Sequence, residues 1–341
     1  MNKYNLACVL LLWSCISLAS VTSTLVPVDR TYSNSYEEMK IDNMPRVRSQ
    51  DSLGVCFGFS SATVAQFYRC KTKNITCSPL PENKEISPIA MVAWSNPNNE
   101  KVRGGTFSDH SNIRFGGKGY GALGYLAEQD SSAVPESCYP FDQFANKYGG
   151  DESATNALIK KLQVEYDKNK KTEGSACEEC LLQTMQKEFG AKTSLEDVAS
   201  ALKEETFAEY LYSLFFRSCG DKLLSFQPAP LMGYFPKGTT ATYNQVIDQT
   251  KNILKQGYPL VLDGICPFYK DGVCTGGHSV VISGYRKVCK PDNTCRDVLK
   301  IQNSWGEDWQ KQNDDGWLDA KILLGDKPLK EGTISWWLPK N

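Results

Sequence analysis

Two histidines, His110 and His278, are all that this 341-residue chain contains. So few exclude most histidine-built metal centres. A basic excess is also lacking: 38 Lys and Arg stand against 39 Asp and Glu, a formal net charge of −1. Phosphate backbones need such an excess, so no nucleic-acid partner is expected. Beyond the first twenty residues no stretch of 18 is apolar throughout, so no transmembrane segment is expected there. Neither a GxxxxGK[ST] loop nor a dinucleotide glycine signature occurs, and nothing calls for a metal or cofactor. Repeats and low-complexity tracts are missing. At 41% hydrophobic and 23% charged residues, extended disorder is excluded as well. The length suits one large domain or two ordinary ones.

Cysteine is abundant, at 13. Two of these, Cys8 and Cys15, lie in MNKYNLACVLLLWSCISLAS, where a lysine precedes a short apolar run and Ser17 and Ala19 fit a cleavage site. Residues 1–20 therefore read as a signal peptide, and the chain as secreted or otherwise extracytoplasmic. A lipoprotein reading at Cys15 fits poorly because of Trp13. Exported chains meet oxidising conditions. The remaining eleven cysteines are an odd number, so one thiol stays unpaired if the others bridge. Cys70/Cys77, Cys266/Cys274 and Cys289/Cys295 are spaced seven, eight and six apart around turn-like stretches and are the best disulfide candidates. Cys138, Cys177, Cys180 and Cys219 can form two more bridges in any of three pairings, or a four-thiol zinc site. Cys56 is left alone.

The segment from Gly54 to Arg69 suits a mostly buried helix. Residues 104–121 are glycine-rich, and a short helix is expected from Gly121 to Glu128. Residues 150–226 are rich in Lys, Glu, Ala and Leu at helical spacing and read as a helical insertion. After Pro228 the chain turns strand-like, with strands expected at Tyr258–Leu262, His278–Gly284 and Val298–Gln302. Asn74-Ile75-Thr76 is a glycosylation sequon, relevant only in a host that glycosylates.

Three polar residues stand out by context. Cys56 sits where a loop enters a helix, and a helix N-terminus stabilises a thiolate. His278 opens a strand after Gly276-Gly277. Asn303 closes another before Ser304-Trp305-Gly306. Nucleophilic cysteine chemistry needs a thiol, an imidazole to move its proton and a group to hold the ring.

The surrounding motifs carry a family resemblance. Arg48-Ser49-Gln50 ahead of Cys56-Phe57-Gly58-Phe59-Ser60-Ser61-Ala62, then Gly116-Gly117 with Ala122-Leu123, then Glu136 to Phe141, then Gly277 to Tyr285, and Ile301 to Trp309 with Gly316-Trp317, resemble in order the motifs of papain-family cysteine peptidases. The resemblance implies an α+β, papain-like fold of two lobes, one helical and one β-barrel-like, with the site in the cleft between them. The peptidase domain would span 21–341, with residues 50–149 mainly helical, 150–226 the insertion and 227–341 mainly β. Cys56 would be the nucleophile, paired with His278 as thiolate and imidazolium. Asn303 would orient the imidazole, and Gln50 would serve the oxyanion together with the Cys56 N–H. Trp305 would shield the His–Asn contact from water and form part of the substrate-binding, leaving-group side. Gly116, Gly117, Lys118 and Gly277 would contact an extended peptide or protein substrate.

Departures from the family pattern matter. Leu53 stands at a usual disulfide position, and Phe57 replaces a tryptophan. His278 lies much farther beyond Cys56 than the roughly 130–150 residues of papain-like enzymes, largely through the insertion. Lys118 takes a wall position that is often apolar. The stretch before Gln50 is too short for the familiar inhibitory propeptide, so control falls to a protein regulator or the enzyme is made active. The insertion is expected to cover part of the cleft or to dock a partner. A monomer is expected. Two other classes compete: a papain-fold binding or inhibitory protein without catalysis, and a compact Cys–His amidase using His110, which the polar run around it marks instead as a loop residue.

Overall fold

Every residue from Cys56 to Cys70 is buried, although the segment mixes aromatic, small and polar side chains. A helix buried all round must run through the interior, and this one does. It is seen in a computed structural model that describes residues 21–93, 117–129, 132–148, 152–217, 219 and 223–340. The signal peptide expected over residues 1–20, His110 and Gly116 lie outside the described residues.

Along the chain come β1 (Val21–Ser23), β2 (Asn34–Lys40), α1 (Cys56–Lys73), α2 (Pro88–Ala93), α3 (Gly119–Gln129), β3 (Ser132–Ala133) and α4 (Phe141–Tyr148). Helices α5 (Glu152–Lys171), α6 (Glu178–Phe189), α7 (Leu195–Ala201) and α8 (Phe207–Arg217) follow. Then come β4 (Leu224–Ser225), β5 (Pro230–Phe235), α9 (Tyr243–Lys255), β6 (Leu260–Ile265), β7 (Phe268–Lys270) and β8 (Val273–Cys274). The chain finishes with β9 (His278–Cys289), β10 (Cys295–Gln302), α10 (Gly306–Gln312), β11 (Trp317–Asp319), α11 (Ala320–Leu324) and β12 (Ile334–Pro339).

The main sheet is antiparallel, in the order β11-β10-β9-β6-β12-β5, with β2 also on β9. It is an open sheet. No closed barrel is found among the described residues, where the resemblance implies a barrel-like lobe. The α+β class stands.

Two hydrophobic cores share α1. Ala62, Ala65, Phe67 and Tyr68 face the core built on the sheet and α3. Tyr68 is its hub: the ring meets Phe226, Tyr258 and Trp337 with centroids 6.3, 6.3 and 5.6 Å away, and its hydroxyl donates to the Pro228 carbonyl at 2.8 Å. Phe57 and Phe59 face the second core, built with α4 to α8. The 150–226 block thus spends its apolar side on α1 and the 138–148 segment. Burial of that side, rather than amphipathicity for its own sake, is what stabilises these helices.

Ten cysteines form Cys70–Cys77, Cys138–Cys219, Cys177–Cys180, Cys266–Cys274 and Cys289–Cys295, and Cys56 is free and buried. The three local pairs are those expected from spacing. The pairing left open resolves into one tie from the second core to Cys219 and one within Cys177-Glu178-Glu179-Cys180, which removes the four-thiol zinc alternative. Asn74 of the sequon is exposed, in the left-handed conformation that ends α1.

Loop closure separates these bonds energetically. Cys138 and Cys219 are 81 residues apart, Cys289 and Cys295 only 6. Paired serine substitutions should cost about 4 kcal/mol for the long loop and about 2 kcal/mol for the short one. Denaturant unfolding of both variants checks this, and equal costs would contradict it.

Candidate active site

Two strands in one register bring the polar residues together. β9 starts at His278, and antiparallel β10 ends at Gln302 opposite Val281. Asn303, the next residue, therefore arrives beside the start of β9. His278 Nε2 and Asn303 Oδ1 lie 2.8 Å apart. The Ser304 N–H also donates to Oδ1 at 2.8 Å. An atom receiving a backbone N–H is the oxygen, so the amide orientation is fixed. Nε2 must then carry the proton, and Nδ1 keeps its lone pair.

Trp305 covers this pair. Its ring stacks on the His278 imidazole at 4.8 Å and 27°, and the Phe268 ring of β7 stacks with it at 5.6 Å and 3°. Trp309 meets Trp305 edge to face at 5.6 Å. Phe268 escaped the sequence reading. The only signal was an aromatic residue inside the Cys266–Cys274 loop.

Gln50 is held by the same turn. Its backbone N–H donates to the Ser304 carbonyl at 2.8 Å, and its Oε1 accepts from the Ser304 hydroxyl at 2.5 Å. Nε2 donates to the Leu53 carbonyl at 2.5 Å. The second Nε2 hydrogen is the one left for another acceptor. Arg48, two residues earlier, reaches Glu136 at 3.5 Å and the Ile86 carbonyl at 3.1 Å. Burial raises Glu136 to about 7 against the pull of Arg48.

Cys56 is the first residue of α1, where backbone N–H groups lack intrahelical acceptors. It is 5% exposed, as is His278. The N–H groups of Ser279 and Phe57 act on its sulfur as donors. Burial outweighs them and, with Asp263 adding a repulsive charge, pushes the thiol up to about 11. Burial likewise lowers His278, against the Asn303 hydrogen bond. Taken singly, both groups are neutral near pH 7. The thiolate–imidazolium pair that the resemblance implies has to form by proton transfer within the site.

Beside Ser279 runs a groove of about 690 Å³, walled by Lys118, Asp263 to Cys266 and the loop 325–333. None of its lining comes from residues 150–226. Gly117 lies over the Phe57 ring, and a Cβ there would come within 2.8 Å of it. Gly277 is exposed, with open space where a Cβ would stand. Gly116 belongs to the undescribed segment. No cluster of three or more His, Cys, Asp or Glu able to hold a metal ion occurs among the described residues.

No protein-family model matches the chain, and no curated protein matches it. Solved structures similar to it include xylellain, a cysteine protease from Xylella fastidiosa, at 16% identity and TM-score 0.45 over 93% of this chain and 91% of that one. Procathepsin B S9 from Trypanosoma congolense gives 15% and 0.45 over 93% and 83%. SERA5E from Plasmodium falciparum gives 12% and 0.41 over 93% and 98%. Overlap this loose does not fix an activity.

The tautomer is testable because the chain has only two histidines. At neutral pH the ¹⁵N spectrum of the imidazoles should show His278 protonated on Nε2. The Asn303→Ala variant should lose that preference. A ring protonated mainly on Nδ1 in the parent protein would contradict the assignment.

Proposed function

We propose that the chain is an exported thiol peptidase of papain type, acting on peptide or protein substrates in a cleft between a helical and a sheet-bearing part. The observation that supports it most is the His278 Nε2–Asn303 Oδ1 hydrogen bond beneath Trp305, with Ser279, the residue after His278, donating its N–H to Cys56, the one free thiol among the described residues. Five disulfides are consistent with an extracytoplasmic location. No helix of the described residues is long and apolar enough to cross a membrane.

In this reading the Cys56 proton passes to Nδ1 of His278 as sulfur attacks the scissile carbonyl carbon. The oxyanion is met by the Cys56 N–H and the remaining Gln50 Nε2 hydrogen. One such donor is worth about 3 kcal/mol of barrier. The imidazolium returns its proton to the leaving amine, which leaves an acyl thioester. Water, deprotonated by His278, then releases the acid and restores the thiol. Asn303 holds the ring throughout, and Trp305 keeps water from that contact. Gly116, Gly117, Lys118 and Gly277 flank the bound peptide, and residues 150–226 enlarge the helical part. The protein acts as a monomer, with no metal or cofactor, and a separate protein regulates it.

Burial of Cys56 favours one second reading, a papain-fold binding protein with a silent thiol. Labelling with an epoxysuccinyl thiol reagent separates the two. Stoichiometric label on Cys56, reduced on the order of 100-fold or more in His278→Ala, is expected. A free Cys56 that never labels would favour the binding protein.

Lowered basicity of His278 sets the acid limit. The ring must be neutral to accept the proton, and its lowered value keeps it neutral to more acidic pH. The acid limb of kcat/KM should therefore fall below about pH 6.5. A limb above that value would contradict the assignment.

A further inference from the structure

One buried carboxylate beside the thiol has no part in the chemistry above. Asp263 lies in β6, opposite Ser279 of β9. Its Oδ1 accepts from the Gly119 N–H at 2.9 Å and from the Ser279 hydroxyl at 2.5 Å, and its Oδ2 accepts from the Tyr120 N–H at 2.9 Å. All three partners are donors, the set an ionised carboxylate satisfies. Two are the first N–H groups of α3, where a negative charge is favoured. The third belongs to Ser279, whose backbone N–H acts on the Cys56 sulfur.

The sequence is built to allow this approach. At Gly119 a Cβ would lie 2.7 Å from Val261 Cγ1 and 3.1 Å from Ser60 Oγ, so a side chain there would push α3 away from β6. Asp263 is also pinned by its backbone, whose N–H donates to the Thr333 carbonyl at 2.8 Å. The carboxylate is therefore fixed in the lining of the groove, joining the start of α3 to β9.

We propose that Asp263 is a positioning residue for Cys56: it ties the start of α3 to Ser279 beside the sulfur and sets a fixed negative charge against the thiol. This rests on the thiol chemistry proposed above. The charge opposes early ionisation, so Cys56 stays a thiol until His278 takes its proton. The groups facing Asp263 are Cys56 from α1 and Lys118 ahead of α3, while His278 precedes Ser279 on β9. The far wall of the groove carries Asp326, Lys327, Lys330 and Glu331. Burial raises Asp263, and the three donors with Lys118 work against that.

The test is the pH profile of Cys56 alkylation by iodoacetamide in the full chain, with kcat and KM on a peptide measured alongside. Asp263→Asn keeps the shape and removes the charge. Its alkylation midpoint should fall by about one pH unit, tenfold more thiolate at a given pH below it. KM should rise as the Gly117-Lys118 wall loosens. A midpoint that stays or rises overturns the proposal, even if the variant melts earlier. If Asp263→Asn does not fold, Lys118→Met replaces it. Removing the facing cation should raise the midpoint, and an unmoved midpoint overturns the proposal. Alkylation reads the thiol whether or not peptides are cleaved. A shifted midpoint without any peptidase activity would refute the peptidase reading and leave the Asp263 assignment standing.

Discussion

The register of β9 against β10 is the constraint from which the site follows. His278 opens one strand and Asn303 follows the end of the other, so their 2.8 Å contact is a consequence of sheet pairing. A one-residue slip would turn one of them to the opposite face. Long β9, paired on β6, β10 and β2, makes such a slip costly. The Ser304 hydrogen bonds then carry the register across to Gln50, and through Gln50 to the loop that delivers Cys56. Each part of the site is positioned by backbone pairing rather than by flexible side chains.

Electrostatics at the site runs opposite to a preformed ion pair. Cys56 and His278 are both buried, and burial favours the neutral form of each. In the proposed mechanism what ionises them is proton transfer from one to the other, helped by the Ser279 and Phe57 N–H donors at the sulfur. Asp263 supplies the counterweight. A thiol kept protonated until substrate arrives is less open to oxidation, which suits a chain that carries five disulfides.

Much of this was legible in the sequence because its signals are local. Cys56, His278, Asn303 and Gln50 each sit in a short distinctive segment, and α1, α3, β6, β9 and β10 follow apolar patterns near their observed bounds. The three short disulfides were readable because few residues separate their cysteines. What was hidden is long-range. The Asp263 carboxylate meets N–H groups 143 and 144 residues away, and no local pattern marks such a contact. Cys138 and Cys219 are separated by 81 residues, so only packing of α8 against the 138–148 segment chooses their pairing. The helix α9 was missed amid strand-like neighbours, although Thr242 and Gln245 form a capping box at its start. Edge strands β2 and β5 carry weak alternation, and the open sheet they border could not be told from a barrel.

The central claim is that Cys56 carries an acyl group during turnover. The most direct measurement is rapid-quench mass spectrometry with a slowly hydrolysed activated ester. The account predicts a transient mass increase equal to the acyl group, located on Cys56 and absent in His278→Ala. Turnover with no covalent intermediate, or an acyl group on any other residue, would contradict it.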